Sequence, residues 1–440
     1  MIEVIGLRWN STANEIVSIH PTNKNSLEQQ QLDKLRRMLE TILPGNDFYR
    51  QKFSACGTSD IDSLQNFKQL PFTTKAELVE DQLLHPPFGT ALTFSPAQYI
   101  RIHQTSGTTG NPLYWLDTEE SWDWWAECWK TIFQAAGVGF DDRIFFAFSF
   151  GPFIGFWAGW EGARKLGAMA ISGGSQSTMQ RVKSILDQQA TVLVCTPTYA
   201  LHMAAEAEKA GINLARDSSI RITIHAGEPG ANIPSTKKRI ADVWGAQCFD
   251  HPGATEVGAF GFECEAQPGG VHINESEFIA EVLDPNTGEA IAEGEQGELV
   301  ITNLGRIGSP VIRYKTGDLV LPSAKPCPCG RPFVLLNGGV LGRVDDMIVI
   351  RGVNVFPGAI ENVMREFPQV EEFRIETFEK ESLRQLKLIL DPRSDQAAQG
   401  LEEKVGQRLR ERIGLRPQVE LVAPGTLPRF ELKAKRFFKL

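Results

Sequence analysis

Between residues 144 and 250, short apolar β-type runs alternate with helical patterns, and that alternation leaves few folds open. Residues 144–150 read as a strand, 154–166 as a helix, 191–195 as a strand, 199–209 as a helix and 220–226 as a strand. A helix over 235–243 and a strand over 247–250 close the series. Strands joined through helices pair in parallel by crossing over a sheet face, so the pattern predicts a mostly parallel sheet with helices on its faces. In such α/β sheets ligands sit beyond the carboxyl ends of the strands. The polar stretches 226–230 and 250–256 fall at those ends.

The flanks read differently. Leu32, Leu35, Leu39 and Ile42 recur at helical spacing and predict an opening helix. Thr74 and Glu77 form a capping box at the start of a second helix. Beyond residue 278, short strands over 278–283, 298–302 and 311–314 suit an antiparallel sheet or a small barrel. A chain of 440 residues is longer than one hydrophobic core supports. A boundary at Gly342-Arg343-Val344-Asp345 divides it into a large part, 1–343, and a small α+β part, 344–440.

Composition excludes several classes. A net charge of −9 argues against general nucleic-acid binding, so an anionic ligand must be held by local donors. The first residues, MIEVIGLRWN, lack a basic segment followed by an apolar run, which predicts no secretory signal. The uncharged stretch 144–160 is short for a membrane span and contains Gly151, Pro152, Gly155 and Gly159, so it reads as a buried strand and helix. Seven cysteines in this length make no disulfide framework, and a reducing, cytoplasmic setting is expected. Trp122, Trp125 and Trp129 recur at helical spacing and read as core, while Cys195 and Cys248 on predicted strands read as small buried apolar residues.

The loop Thr105-Ser106-Gly107-Thr108-Thr109-Gly110 combines two glycines with four hydroxyls. Tight turns there would aim N–H groups at an anion, and the hydroxyls add donors, as a polyphosphate such as that of ATP requires. Asn111 stands where a Gly-Lys-Ser/Thr ending would continue, so this is not the common P-loop.

Further motifs follow in fixed order: AGEPG at 226–230, GATE at 253–256, YKTGDL at 314–319, GRVDDMIVIRGVNVFPGAIE at 342–361 and PRFELKAKR at 428–436. With TSGTTG, and with FYRQKF at 48–53 and LPFTTK at 70–75, they resemble the acyl-adenylate-forming superfamily and, within it, the phenylacetate–coenzyme A ligase family. The resemblance implies a large N-terminal α/β domain and a small mobile C-terminal one. It also implies a two-step reaction, in which a carboxylic acid reacts with ATP to give an acyl-adenylate and the thiol of coenzyme A then displaces AMP.

The same resemblance gives roles to residues. Lys433 would bridge carboxylate and phosphate oxygens, although Leu432 stands where the family usually has glycine. Glu256, after Thr255, would bind Mg²⁺ at the triphosphate. Asp318 would accept from both ribose hydroxyls, with Arg343 as a second ribose or phosphate contact. Gly227, Glu228 and Pro229 would turn against the adenine, and Asp250 and His251 lead into GATE, where Pro252 replaces the usual aromatic residue. Because Asn111 replaces the lysine common after the first loop, Lys75 is the candidate cation for the β- and γ-phosphates; a solvated lysine at a helix start is the bland alternative. Asp345 matches the hinge, and Gly352 the close passage of the coenzyme A arm. Phe150 and Phe153 match the segment that lines the acyl pocket, which suits an aromatic or apolar acid.

Cys327 and Cys329, in a tight Cys-Pro-Cys turn, with Cys264 and His272 upstream, make a donor set for tetrahedral Zn²⁺. The spacing is not that of a common zinc finger, and a similar pattern in some relatives points to a structural ion. Two alternatives stand beside the ligase: an adenylating enzyme that loads a carrier-protein thiol, and a non-catalytic nucleotide-binding protein. Family members often form dimers, so a homodimer is expected, with no membrane and no nucleic-acid partner.

Overall fold

The computed structural model describes residues 23–56, 61–105, 112–152, 154–344, 348–350, 353–355, 357–380, 383–428 and 436–439. Its central feature is a five-stranded, all-parallel sheet. The strands run in the spatial order Met169–Ser172, Arg143–Phe146, Val192–Cys195, Ile222–His225 and Gln247–Asp250. Parallel strands buried on both faces are continuously apolar, and Val192–Cys195 and Ile222–His225 are buried at every position. One face packs on a core containing Ile144, Phe146, Val194, Ile224 and the tryptophans of the helix Glu119–Ala135. The other packs on the helices Thr178–Asp187, Pro197–Lys209 and Pro234–Trp244 through Ile185, Met203 and Ile240.

Local signals set several boundaries. The helix Lys24–Ile42 buries Leu32, Leu35, Leu39 and Ile42, as their spacing predicts. The helix Lys75–Leu84 opens with Thr74 and Glu77 in a reciprocal capping box. Three expectations need correction. The first strand ends at Phe146 and its helix starts only at Trp157, because the chain turns through Gly151 and Pro152 between them. The strand Met169–Ser172 was not foreseen, because this edge strand is short and only partly buried, which blurs its apolar signal. The strand expected over 311–314 begins instead at Tyr314 and runs to Pro322; Arg313 has φ +46°, a left-handed conformation that ends extended backbone before it.

A six-stranded antiparallel sheet orders Phe278–Leu283, Gly297–Asn303, Tyr314–Pro322, Leu335–Arg343, Gly270–Ile273 and Gly261–Glu263. The segment before Lys75 joins it through Thr73, which pairs with Tyr314 and exchanges main-chain bonds with Arg313 and Lys315. The C-terminal residues build a separate core on the four-stranded sheet Gln418–Leu421, Leu383–Pro392, Val370–Lys380 and Phe437–Lys439, covered by the helices Pro357–Arg365 and Leu401–Ile413. Among the described residues no helix is long and apolar enough to cross a membrane.

Candidate active site

Side chains from distant segments converge beyond the carboxyl ends of the parallel strands. Lys75, the first residue of its helix, lies 3.0 Å from Glu256 through Nζ and Oε1. Glu256 is buried, yet its Oε2 has no protein donor among the described residues, so one hard oxygen is left to a further ligand. Tyr314, on the strand that carries Asp318, is buried, and its phenol is pushed well up by burial first and then by the charge of Glu256, with Arg343 opposing and Asp318 adding. Asp318 and Arg343 face each other across neighbouring strands, with Nη1 of Arg343 3.0 Å from Oδ1 of Asp318. The same Nη1 donates to the Thr316 carbonyl at 2.8 Å. The guanidinium crosses directly over Gly317, where a Cβ would lie 2.7 Å from Nη2, and φ there is +73°. The positive φ favours glycine at that position, and a side chain there would also push the Arg343 guanidinium aside.

The strand ends supply the floor. Asp250 is buried, and burial pushes its carboxyl up to about 7, with Glu263 adding to the shift and Lys237 opposing it. Oε2 of Glu263 accepts from the Asp250 N–H at 2.8 Å and from Nζ of Lys237 at 2.7 Å, so a buried ion pair fixes the backbone just before GATE. His251 turns inward: its Nδ1 bonds the Gly261 carbonyl at 2.7 Å and its ring meets Trp129 edge-on at 4.5 Å. Burial lowers its pKa to about 4, which keeps the imidazole neutral. Glu228 accepts from the Thr198 N–H at 2.9 Å, placing its carboxylate at the start of the helix Pro197–Lys209. Gly227, between Ala226 and Glu228, has φ +92°. The base of the first loop is closed by Thr105, whose N–H and Oγ1 both pair with Leu113 at 3.0 Å.

Aromatic rings cluster just after the first parallel strand. Phe150 packs against Trp157 at 4.6 Å and Trp160 at 5.7 Å, and Phe148 stands edge-on to Phe156 at 5.0 Å. Gly155 lets the Phe148 ring lie close, because a Cβ there would meet it at 2.8 Å. Ser106, Gly107, Thr108, Thr109, Gly110, Phe153, Asp345, Gly352 and Lys433 lie outside the described residues.

A second constellation sits on the antiparallel sheet. Donor atoms of Cys264, His272, Cys327 and Cys329 all lie within 4.8 Å of one another. Sγ of Cys264 is 3.6 Å from Sγ of Cys327, and Sγ of Cys329 is 3.4 Å from Nε2 of His272. A tetrahedron with about 2.3 Å metal–sulfur bonds has edges of roughly 3.8 Å, whereas a disulfide would need about 2.05 Å. The cysteines are free, and the four donor atoms lie close enough together that they could hold a metal ion. Cys195 and Cys248 are buried in the second core, as their positions on strands imply.

Sequence reasoning missed the pair beneath GATE. Arg306 and Asp117 are both fully buried and joined by two 2.7 Å hydrogen bonds, Nε to Oδ1 and Nη2 to Oδ2. The only local signal is a charged residue inside the Gly-rich stretch NLGRIGSP, and its partner lies 189 residues away.

Comparisons with known proteins agree with this geometry. The profile described as AMP-binding enzyme matches residues 43–305, and that described as AMP-binding enzyme C-terminal domain matches 352–440. The phenylacetate–coenzyme A ligase of Pseudomonas putida is 32% identical over 93% of this chain and 93% of its own length. That of Escherichia coli strain K12 is 30% identical over 98% of each chain. Among solved structures, a 2-hydroxyisobutyryl-CoA ligase in the postadenylation state with 2-HIB-AMP matches with a TM-score of 0.88 at 28% identity, covering 94% of this chain and 90% of its own. The same ligase in the thioesterification state, with 2-HIB-AMP and CoA, matches over 94% of this chain and 89% of its own at a TM-score of 0.71. With the matching profiles and near-full-length relatives in agreement, this chain belongs to the AMP-binding enzyme family and, within it, to the phenylacetate–coenzyme A ligases.

Proposed function

We propose that the protein is an ATP-dependent acid–thiol ligase that activates an aromatic, phenylacetate-like carboxylic acid and transfers it to coenzyme A. A carboxylate oxygen attacks the α-phosphorus of ATP, the bond to the leaving pyrophosphate breaks, and an acyl-adenylate results. The coenzyme A sulfur then attacks the acyl carbon, and AMP leaves with the former carboxylate oxygen. The observation that carries this reading is the pairing of Lys75 with Glu256, which follows the last parallel strand, together with the Asp318–Arg343 pair on neighbouring antiparallel strands.

In this reading Asp318, preset by Arg343, receives the ribose hydroxyls. Lys75 supplies the cation that Asn111 does not, and Lys433 neutralises charge where acid and phosphate meet. Glu256, with one oxygen open, fits a Mg²⁺ ion that would bridge the phosphates and offset their charge. The neutral, Trp-packed His251 and the rings of Phe148, Phe150 and Phe156 favour an uncharged aromatic acyl group. Cys264, His272, Cys327 and Cys329 fit a structural Zn²⁺ that would pin the 327–329 turn to the antiparallel sheet. A homodimer and a cytoplasmic setting complete the reading.

The closer match to the postadenylation than to the thioesterification arrangement supports a C-terminal part, 344–440, that swings about Asp345 between the two steps. Proline at Asp345 is then expected to spare pyrophosphate release and to lower thioester formation by about 10²-fold or more. Equal loss of both steps would count against the hinge. Pyrophosphate release over a panel of carboxylic acids tests the function itself, with arylacetic acids expected to lead. Release by no acid in the panel would defeat it. A parallel assay of coenzyme A against a phosphopantetheinylated carrier protein decides the acceptor, and the free thiol is expected to be preferred.

A further inference from the structure

We infer that Arg306, locked against Asp117, is a positioning residue for adenylation: it holds the Thr255–Glu256 turn so that the Glu256 carboxylate faces the metal–triphosphate position. The inference rests on the proposed role of Glu256.

The geometry is specific. With Nε and Nη2 engaged by Asp117, the remaining arm of the fork, Nη1, reaches the Thr255 carbonyl at 2.5 Å and the Glu256 carbonyl at 3.4 Å. The guanidinium carbon lies 5.2 Å from the Trp115 ring and 5.1 Å from the Trp125 ring, so cation–π contact with two indoles restricts its plane. Asn303 continues the bracket, donating to the Val257 carbonyl at 3.0 Å while its Oδ1 accepts from the Val311 N–H. Three successive carbonyls of the turn are thus held from one side by buried side chains. The Glu256 carboxylate meets Lys75.

Asp117 connects this clamp to the other phosphate element. It lies on the strand Tyr114–Thr118, which starts directly after Leu113, the residue that closes the base of the 105–113 loop on Thr105. One ion pair therefore sets the loop base and the Glu256 turn at a fixed separation. A buried ion pair is seldom more stabilising than apolar side chains of the same volume, so stability alone is a weak reason for charges here. An apolar pair would fill the space but would leave the carbonyls of Thr255 and Glu256 without this donor. The planar five-donor fork of arginine meets both requirements at once.

The test is the double variant Asp117→Leu with Arg306→Met, which removes the clamp without stranding a lone charge. Its melting midpoint is expected within about 5 °C of the parent. Pyrophosphate release should fall about 100-fold, the order that a small misplacement costs, and the magnesium concentration for half-maximal release should rise about tenfold. Thioester formation from a supplied acyl-adenylate should stay near the parental rate, because that step uses neither the metal nor pyrophosphate. Parental pyrophosphate release, or equal loss of both half-reactions, overturns the inference. Should the double variant melt far below the parent, Arg306→Lys decides by the same split: it keeps the charge and loses the fork, so selective loss of adenylation supports positioning and uniform loss rejects it. Glu256→Gln is measured alongside. If it leaves the magnesium requirement unchanged, the metal reading of Glu256 fails and the inference falls with it. If it raises the requirement and the clamp variant does not, the inference alone is overturned.

Discussion

Alanine at Lys433 is expected to lower pyrophosphate release by about 10²–10³-fold while leaving thioester formation from a supplied acyl-adenylate within a few-fold of the parent. The first step forces a carboxylate against a polyphosphate, and two unit charges about 4 Å apart repel by about 4 kcal/mol at the intermediate dielectric of a protein surface. A compact ammonium offsets that repulsion most strongly as the new bond forms, so kcat should fall more than KM for ATP or acid rises. Thioester formation starts from an anhydride in which that encounter is already past. The described chain resumes at an anchored residue. Arg436, three residues on, donates from Nε and Nη2 to both carboxylate oxygens of Glu372 at 2.6 and 3.0 Å, and its Nη1 is 3.1 Å from Glu361. A pyrophosphate-coupled assay makes the measurement, and undiminished release would remove Lys433 from the mechanism.

The second large effect is expected at the thiol cluster. Serine at Cys327 should reduce bound zinc from one per chain to well below one and lower the melting midpoint by about 10 °C, because the binding free energy of a structural ion is spent on folding. The four candidate ligands come from three places in the chain: just after the strand Gly261–Glu263, within Gly270–Ile273, and from the 327–329 turn. Cys264 is adjacent to Glu263, whose carboxylate holds the Asp250 N–H and Lys237. Loss of the ion should therefore also raise KM for ATP, through the loosened backbone before GATE. Metal analysis and calorimetry of parent and variant read this out. Metal-free parent protein with an unchanged melting midpoint in the variant would show the four residues to be only a packed cluster.

Much of the site was visible as sequence. The alternation of apolar runs and helices from residue 144 located four of the five parallel strands, missing Met169–Ser172, and the polar motifs at 226–230 and 250–256 proved to follow their carboxyl ends. The Thr74–Glu77 box marked the helix that carries Lys75. Cys264, His272, Cys327 and Cys329 could be grouped because thiols and imidazoles are scarce and chemically distinctive. Less visible were features whose cause is a neighbour far along the chain. Tyr314 stood in a recognised motif, yet its pairing with Thr73 depends on how the segment before Lys75 meets the antiparallel sheet. Arg313 fell inside the short strand expected over 311–314, whereas its backbone is left-handed and its side chain forms a buried bidentate pair with Glu281.

Most of the element order, the Thr74–Glu77 cap and the chemistry of the loops were determined by the sequence itself, because apolar periodicity and capping act over a few residues and need no partner elsewhere. Which charges meet was decided only by the tertiary structure. Arg306 with Asp117, Lys75 with Glu256 and Lys237 with Glu263 are joined across 189, 181 and 26 residues. An ion pair has no period along a chain; it exists only where topology brings two charged groups to hydrogen-bonding distance and burial strengthens their attraction.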